Sequence, residues 1–209
     1  MITFIIVVAI WFILVVMNCV YRELFPSSRC LFIYRDVEKV AKSTSRTCLV
    51  VPSGYLVMKL LRLSSWLTKK MMDSMGLNGS HFDMDVPVKS DFAFGVLLSA
   101  VLMSFYLDSR RRGLDISAVC YEDLVARPLD MCRVILEFCH LPVSLAELAV
   151  KAFDIDSQRS SILAKSVVGH FREPEMTPQI KAKLNELLKK NGLPLIGKPG
   201  IIEGTLTCS

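Results

Sequence analysis

The chain has 209 residues, of which 52% are hydrophobic, and its mean hydropathy is +0.44. Its 25 Lys and Arg outnumber 20 Asp and Glu, for a net charge of +5. The length suits one domain with an appendage, and the composition excludes a disordered chain, a collagen-like repeat and a polytopic membrane protein.

The first element in chain order is residues 2–20, ITFIIVVAIWFILVVMNCV, an uncharged run in which only Thr3 and Asn18 are clearly polar. As a helix it would rise about 28 Å, close to the hydrocarbon thickness of a bilayer. A buried strand needs only four to eight such residues and a core helix shows a polar stripe, so the run is expected to insert into a membrane. It lacks the basic leader and small-residue cleavage site of a secretory signal. We divide the chain into this segment, 1–21, and a body, 22–209. Arg22, Arg29, Arg35, Lys39, Lys42 and Arg46 follow the run, and the positive-inside rule then leaves the body in the cytosol.

The body alternates strands and helices. Cys30–Arg35, CLFIYR, reads as a buried strand, and 36–46 as a loop entering a helix. A helix is expected over about 55–75, and residues 76–90, GLNGSHFDMDVPVKS, form a polar loop. Asp91–Arg112 reads as a helix ending on Gly113, and Ile116–Tyr121, ISAVCY, as the second strand. Pro128 opens a helix to about His140, a short helix follows from Ser144 to Phe153, and Pro178 opens a last helix that closes with Lys189, Lys190 and Gly192. Strands separated by helices predict a three-layer α/β arrangement with a parallel sheet.

The charge is uneven. Residues 21–72 hold ten Lys or Arg against three Asp or Glu, whereas 73–209 balance at −2. A basic first half suits phosphate-bearing ligands, anionic lipid headgroups or solubility alone. The seven cysteines, at 19, 30, 48, 120, 132, 139 and 208, form no CxxC pair. The three histidines, His81, His140 and His170, are scattered, so no metal site is expected.

The chemistry gathers at Arg35, which ends a strand ahead of a helix carrying Ser43. Ligands of doubly wound sheets sit beyond the carboxyl ends of the strands. A guanidinium there offers a planar fork for phosphate oxygens, and Ser43 could add a hydroxyl. The alternative is a surface ion pair of Arg35 with Asp36 or Glu38.

LFIYRDVEKVAKSTSR resembles the segment with which sulfotransferases bind the 3′-phosphate of their donor, 3′-phosphoadenosine 5′-phosphosulfate (PAPS). In that family an Arg closes a strand and a Ser eight residues later completes the phosphate clamp, the positions of Arg35 and Ser43. VCYEDLVARPLDMCRVILEFCHLP is similar to the family's strand ending in Tyr-Glu-Asp, its loop to a Pro and the helix beyond. DSQRSSILAKS, 156–166, resembles a later segment lining the nucleotide site. The resemblance spans roughly residues 22–197. It implies a P-loop-hydrolase-like three-layer fold, nucleotide contacts from Arg35, Ser43, Tyr121 (near the adenosine) and Ser157 or Gln158, and sulfonate transfer from PAPS to a hydroxyl or amine acceptor.

Departures from the family pattern are equally specific. No loop resembling Lys-x-Gly-Thr/Ser-Thr, which cradles the 5′-phosphosulfate in the family, occurs in the sequence. No early His stands where the family places its general base, and the three histidines are not expected to be catalytic. The sheet is therefore expected to be incomplete and transfer slow or absent. The alternative reading is an inactive membrane-anchored module that binds the nucleotide or a partner protein. The family's habit places such anchored domains in the Golgi lumen, whereas the flanking charges favour the cytosol; both sides stay open. No nucleic-acid partner and no metal cofactor are expected, and catalytic residues are not assigned.

Overall fold

The computed structural model describes residues 29–50, 90–154, 176–198 and 200–208. The apolar run 2–20, the helix expected over 55–75, the loop through 89 and Ser157 lie outside the described residues.

The described residues form a mixed α/β unit. In order they are β1 (Cys30–Tyr34), α1 (Val37–Val50), α2 (Asp91–Arg111), β2 (Ile116–Cys120), α3 (Tyr121–Ala126), α4 (Pro128–Phe138), α5 (Ala146–Lys151) and α6 (Pro178–Lys190). Short 3-10 turns, Val143–Leu145 and Ala152–Asp154, flank α5. The last strand residue expected from sequence, Tyr121, instead opens α3, where a loop was expected. Glu122 and Asp123 supply the negative charge that a helix N-terminus favours, and Leu124 buries the short helix.

β1 and β2 pair in parallel, in a register running from Cys30↔Ile116 to Tyr34↔Cys120. On the far side of β2 the Ala118 N–H donates to the Gly204 carbonyl (2.9 Å), and the Leu206 N–H donates to the Ala118 carbonyl (2.8 Å). Residues 204–206 thus add a third parallel position, bridged at Ala118↔Thr205. Nothing in the sequence announces it, because GTLT is too short and too polar to show a strand pattern.

Alternation along the strands explains the layers. Phe32, Tyr34 and Ala118 face a core built with Val37 and Ala41 of α1, Phe92 to Leu107 of α2, Leu184 and Leu188 of α6, and Ile202. Leu31 and Val119 face the opposite core, with Leu124, Met131, Cys132 and Ala146. Helices therefore cover both faces of a small parallel sheet.

The main core turns on a close crossing of α1 and α2. A Cβ added at Gly95 would lie 2.6 Å from the Ala41 Cα, so glycine is needed for the two backbones to approach. Ser45 and Ser99 are buried beside this crossing, and each hydroxyl donates to the carbonyl four residues earlier, Ala41 (2.8 Å) and Gly95 (2.9 Å). Small side chains that satisfy themselves locally let the helices meet without orphaning polar groups. The Ser90 hydroxyl caps α2 by accepting from the Ala93 N–H, and Gly113, at φ 81°, closes it. Among the described residues α2 is the one helix long and apolar enough to cross a membrane, and 72% of that stretch is buried inside the protein. A helix apolar on all sides fits the centre of a core.

The C-terminal segment is tied down by three side chains. The Tyr106 hydroxyl donates to the Glu203 carbonyl (2.9 Å), Tyr34 and Thr205 share a hydroxyl hydrogen bond (3.1 Å), and the Arg110 guanidinium lies against Gly204 while donating to the Ile116 carbonyl (2.6 Å). Gly204 adopts φ 76°, a conformation open to glycine, and a side chain there would strike the guanidinium.

Candidate functional site

Parallel pairing in register sets the site. Because Tyr34 pairs with Cys120, the next residues, Arg35 and Tyr121, emerge side by side at the carboxyl edge of the sheet. The Arg35 guanidinium carbon stands 5.0 Å from the centre of the Tyr121 ring. Such a cation–π contact holds a guanidinium flat and is worth about 0.5–1 kcal/mol at an exposed site.

Glu122 knots this edge together. Its Oε1 accepts from Arg35 Nε at 3.4 Å and lies 3.2 Å from Lys39 Nζ; its Oε2 accepts from the Asp36 N–H at 3.1 Å. Asp36 in turn caps α1, its Oδ1 accepting from the Lys39 N–H at 3.0 Å. One carboxylate from the second strand end therefore holds the first strand's exit, the start of α1 and two cations. Burial disfavours the charged form of Glu122, but the Asp36 N–H and the Lys39 ammonium outweigh it and hold the carboxyl below its ordinary pKa. Glu122 is an anion at neutral pH.

The ion pair allowed for Arg35 thus exists, but its partner is Glu122 rather than Asp36 or Glu38. Glu38 instead pairs with Lys42 at 3.1 Å along α1. Only Nε of Arg35 is engaged with Glu122; Nη1 and Nη2 have no hydrogen-bond partner among the described residues. The Arg35 side chain keeps 42% of its surface exposed and that of Lys39 keeps 53%. Both cations are oriented from below and open above.

Of the residues expected from sequence, Arg35 and Tyr121 come together. Ser43 stands on the exposed side of α1, one turn beyond Lys39. Residues four apart share a helix face, so Lys39 and Ser43 continue one line away from Arg35. Ser157 lies outside the described residues. Lys39 and Glu122 were missed as site members. The spacing Arg35–Lys39–Ser43, four and four, was the available signal for Lys39. The register that brings Glu122 across is invisible in sequence.

Neighbouring groups do not offer a nucleophile. Burial pushes the Cys120 thiol up, and the Cys120 Sγ points at Glu122 Oε2 across 3.7 Å. Burial likewise raises the Tyr34 phenol, despite its bond to Thr205. Both stay protonated at neutral pH. His140, with φ 56°, ends α4 as its left-handed cap. Arg29, just before β1, packs its guanidinium carbon 5.1 Å from the Phe138 ring, so this end of α4 lies at the amino edge of the strands, away from Arg35. Among the described residues no group of three or more His, Cys, Asp or Glu could hold a metal ion.

The arrangement is suited to gripping an anion. Two cations and a helix N-terminus meet at the carboxyl ends of parallel strands, with an aromatic ring beside them. Compared with protein-family models, curated proteins and solved structures, the chain matches none, so the reading of this site rests on its own residues and geometry.

Proposed function

We propose that the paired strand ends bind the 3′-phosphate of an adenosine 3′,5′-bisphosphate group, in the manner that the resemblance to sulfotransferases implies. The observation that carries this reading is the Arg35 guanidinium: it lies on the Tyr121 ring, is fixed through Nε by Glu122, and keeps Nη1 and Nη2 uncommitted among the described residues. A guanidinium held by one edge presents its other edge as a bidentate donor. Lys39 adds a second charge, Ser43 a hydroxyl further along α1, and the exposed Tyr121 an aromatic surface for the nucleoside. The P-loop-hydrolase-like sulfotransferase fold, of which the small parallel sheet would be a part, belongs to the same proposal.

In this reading the chain is a sulfotransferase-like, membrane-tethered protein whose donor is PAPS and whose acceptor is a hydroxyl or an amine. Transfer requires a base on the acceptor and donors on the bridging and leaving oxygens. The sequence contains no recognisable phosphosulfate loop, and removing one such donor alone costs about 10²–10³ in rate. The proposal is therefore nucleotide binding with sulfonate transfer that is slow or absent. The second reading, an inactive nucleotide-binding module, shares the same site and differs only in turnover. Retention of the full chain on immobilised adenosine 3′,5′-bisphosphate, released by the soluble nucleotide and lost in Arg35→Ala, is the expected result; equal retention of both proteins would refute the assignment of Arg35. A radiolabelled-donor assay then separates slow transfer from none.

A further inference from the structure

The charges gathered at Arg35 cancel. Arg35 and Lys39 are balanced by Asp36 and Glu122, so these four residues offer an anion no net attraction. Glu122, in contact with both cations, repels by charge any phosphate placed on them. Selection of a phosphate at this edge therefore has to come from the direction in which donors are held, and the contacts of Glu122 supply that direction.

One oxygen, Oε1, meets both Arg35 Nε at 3.4 Å and Lys39 Nζ at 3.2 Å, which brings the two cations to a single point. The other, Oε2, accepts from the Asp36 N–H at 3.1 Å and faces the Cys120 Sγ at 3.7 Å, so the carboxylate is itself tied to backbone and does not swing with Arg35 as a free surface pair would. The Glu122 side chain is 28% exposed against 42% for Arg35, so the anion lies beneath the cation. Tyr121, the preceding residue, holds the guanidinium by its face. Two consecutive residues at the exit of β2 thus fix Arg35 by one edge and one face, and Nη1 and Nη2 are left for a ligand. An arginine ordered in the free protein loses less freedom on binding.

We infer that Glu122 is the positioning residue of the 3′-phosphate site: it does not touch the ligand, but sets Arg35 and Lys39 toward one phosphate, so that the site selects by geometry rather than by charge. The inference rests on the nucleotide reading of Arg35 and adds a residue to it. Its sign is distinctive. Acting through charge alone, Glu122 would weaken anion binding, and its neutralisation would tighten every nucleotide. Acting through Arg35, its neutralisation costs the recognition of the 3′-phosphate. In Glu122→Gln the amide has one acceptor oxygen, and its NH2 group faces donors, so it cannot serve the Asp36 N–H and the two cations together. Asp123 is the natural control: it lies in the same acidic first turn of α3 and is not a hydrogen-bond or ion-pair partner of Arg35 or Lys39.

The test is calorimetric titration at pH 7 of the full chain, Glu122→Gln and Asp123→Asn with adenosine 3′,5′-bisphosphate and adenosine 5′-monophosphate. The contacts of Glu122 are partly solvated, so Glu122→Gln stays folded under these conditions. The wild-type preference for the bisphosphate should fall about fivefold or more in Glu122→Gln, the scale of a charged hydrogen bond, while the monophosphate binds as before. Asp123→Asn should keep the preference. A preference retained in Glu122→Gln, or a bisphosphate bound more tightly by it, overturns the positioning role and leaves the reading of Arg35 standing. An equal loss in Asp123→Asn assigns the effect to the charge of the turn and overturns the role as well. Absence of any preference in the wild-type chain overturns the nucleotide reading and this inference with it.

Discussion

At the residue scale, Glu122 carries more of the site than any other side chain. It joins the exits of two strands, orients Arg35 through Nε, and pairs with Lys39. Its folded pKa lies below the ordinary 4.5, so ionisation favours the folded state. The corresponding stabilisation is complete above the unfolded value and is lost as pH falls through the folded one. Glu122→Gln keeps the size and one acceptor but removes the charge. Because the partners are partly solvated, the loss at neutral pH should be about 1 kcal/mol or less. Urea unfolding at several pH values should show wild type more stable at pH 7 and the two proteins converging as pH falls through the lowered pKa of folded Glu122. A gap that persists unchanged into acid would mean that the charge of Glu122 contributes nothing. The same residue marks the limit of sequence reading: Arg35 and Tyr121 were legible from a strand end and a motif, whereas their link through Glu122 depends on register.

At the element scale, the decisive contact is the crossing of α1 over α2. Gly95 faces the Ala41 backbone, and Ser45 and Ser99 fold their hydroxyls back onto their own helices. Gly95→Ala would normally favour a helix by propensity alone, by up to about 1 kcal/mol. Here the added methyl meets backbone, which cannot rotate away, and overpacking of this kind costs about 1–3 kcal/mol. The expected outcome is a lowered urea midpoint for Gly95→Ala and none of that loss for Gly113→Asn, an exposed cap with open space around it. A more stable Gly95→Ala would contradict the close approach. The helix boundaries of α2, α4 and α6 were legible because caps, prolines and terminal glycines are local signals. α3 was not, because a six-residue helix directly after a strand has no room for hydrophobic periodicity, and its acidic first turn was instead read as a motif.

At the scale of the molecule, both faces of the parallel sheet are covered, and the chain's last residues return to lie beside β2. That return is secured at Gly204, where the backbone needs a positive φ and the Arg110 guanidinium fills the space a side chain would take. Gly204→Ala should release the segment. Hydrogen exchange at the Leu206 amide, which donates to Ala118, should accelerate at least tenfold while the α2 amides remain protected. Unchanged exchange at Leu206 would contradict this role. CLFIY and ISAVC were legible as short apolar strands and the helices between them as a sign of parallel pairing, although only Tyr34 of β1 is buried and Ile33 is exposed; nothing local in GTLT announces a third position, whose pairing depends on Tyr106, Tyr34 and Arg110, all distant in sequence.

Whether Arg35 reads a 3′-phosphate, as proposed, is decided by calorimetric titration of the full chain with two nucleotides. Adenosine 3′,5′-bisphosphate should bind at least tenfold more tightly than adenosine 5′-monophosphate, consistent with about 1.5–3 kcal/mol for charged hydrogen bonds. Arg35→Ala should abolish that preference and leave the weaker binding in place. Equal affinity of the wild-type chain for both nucleotides, or a preference that survives Arg35→Ala, would mean that Arg35 does not read the 3′-phosphate.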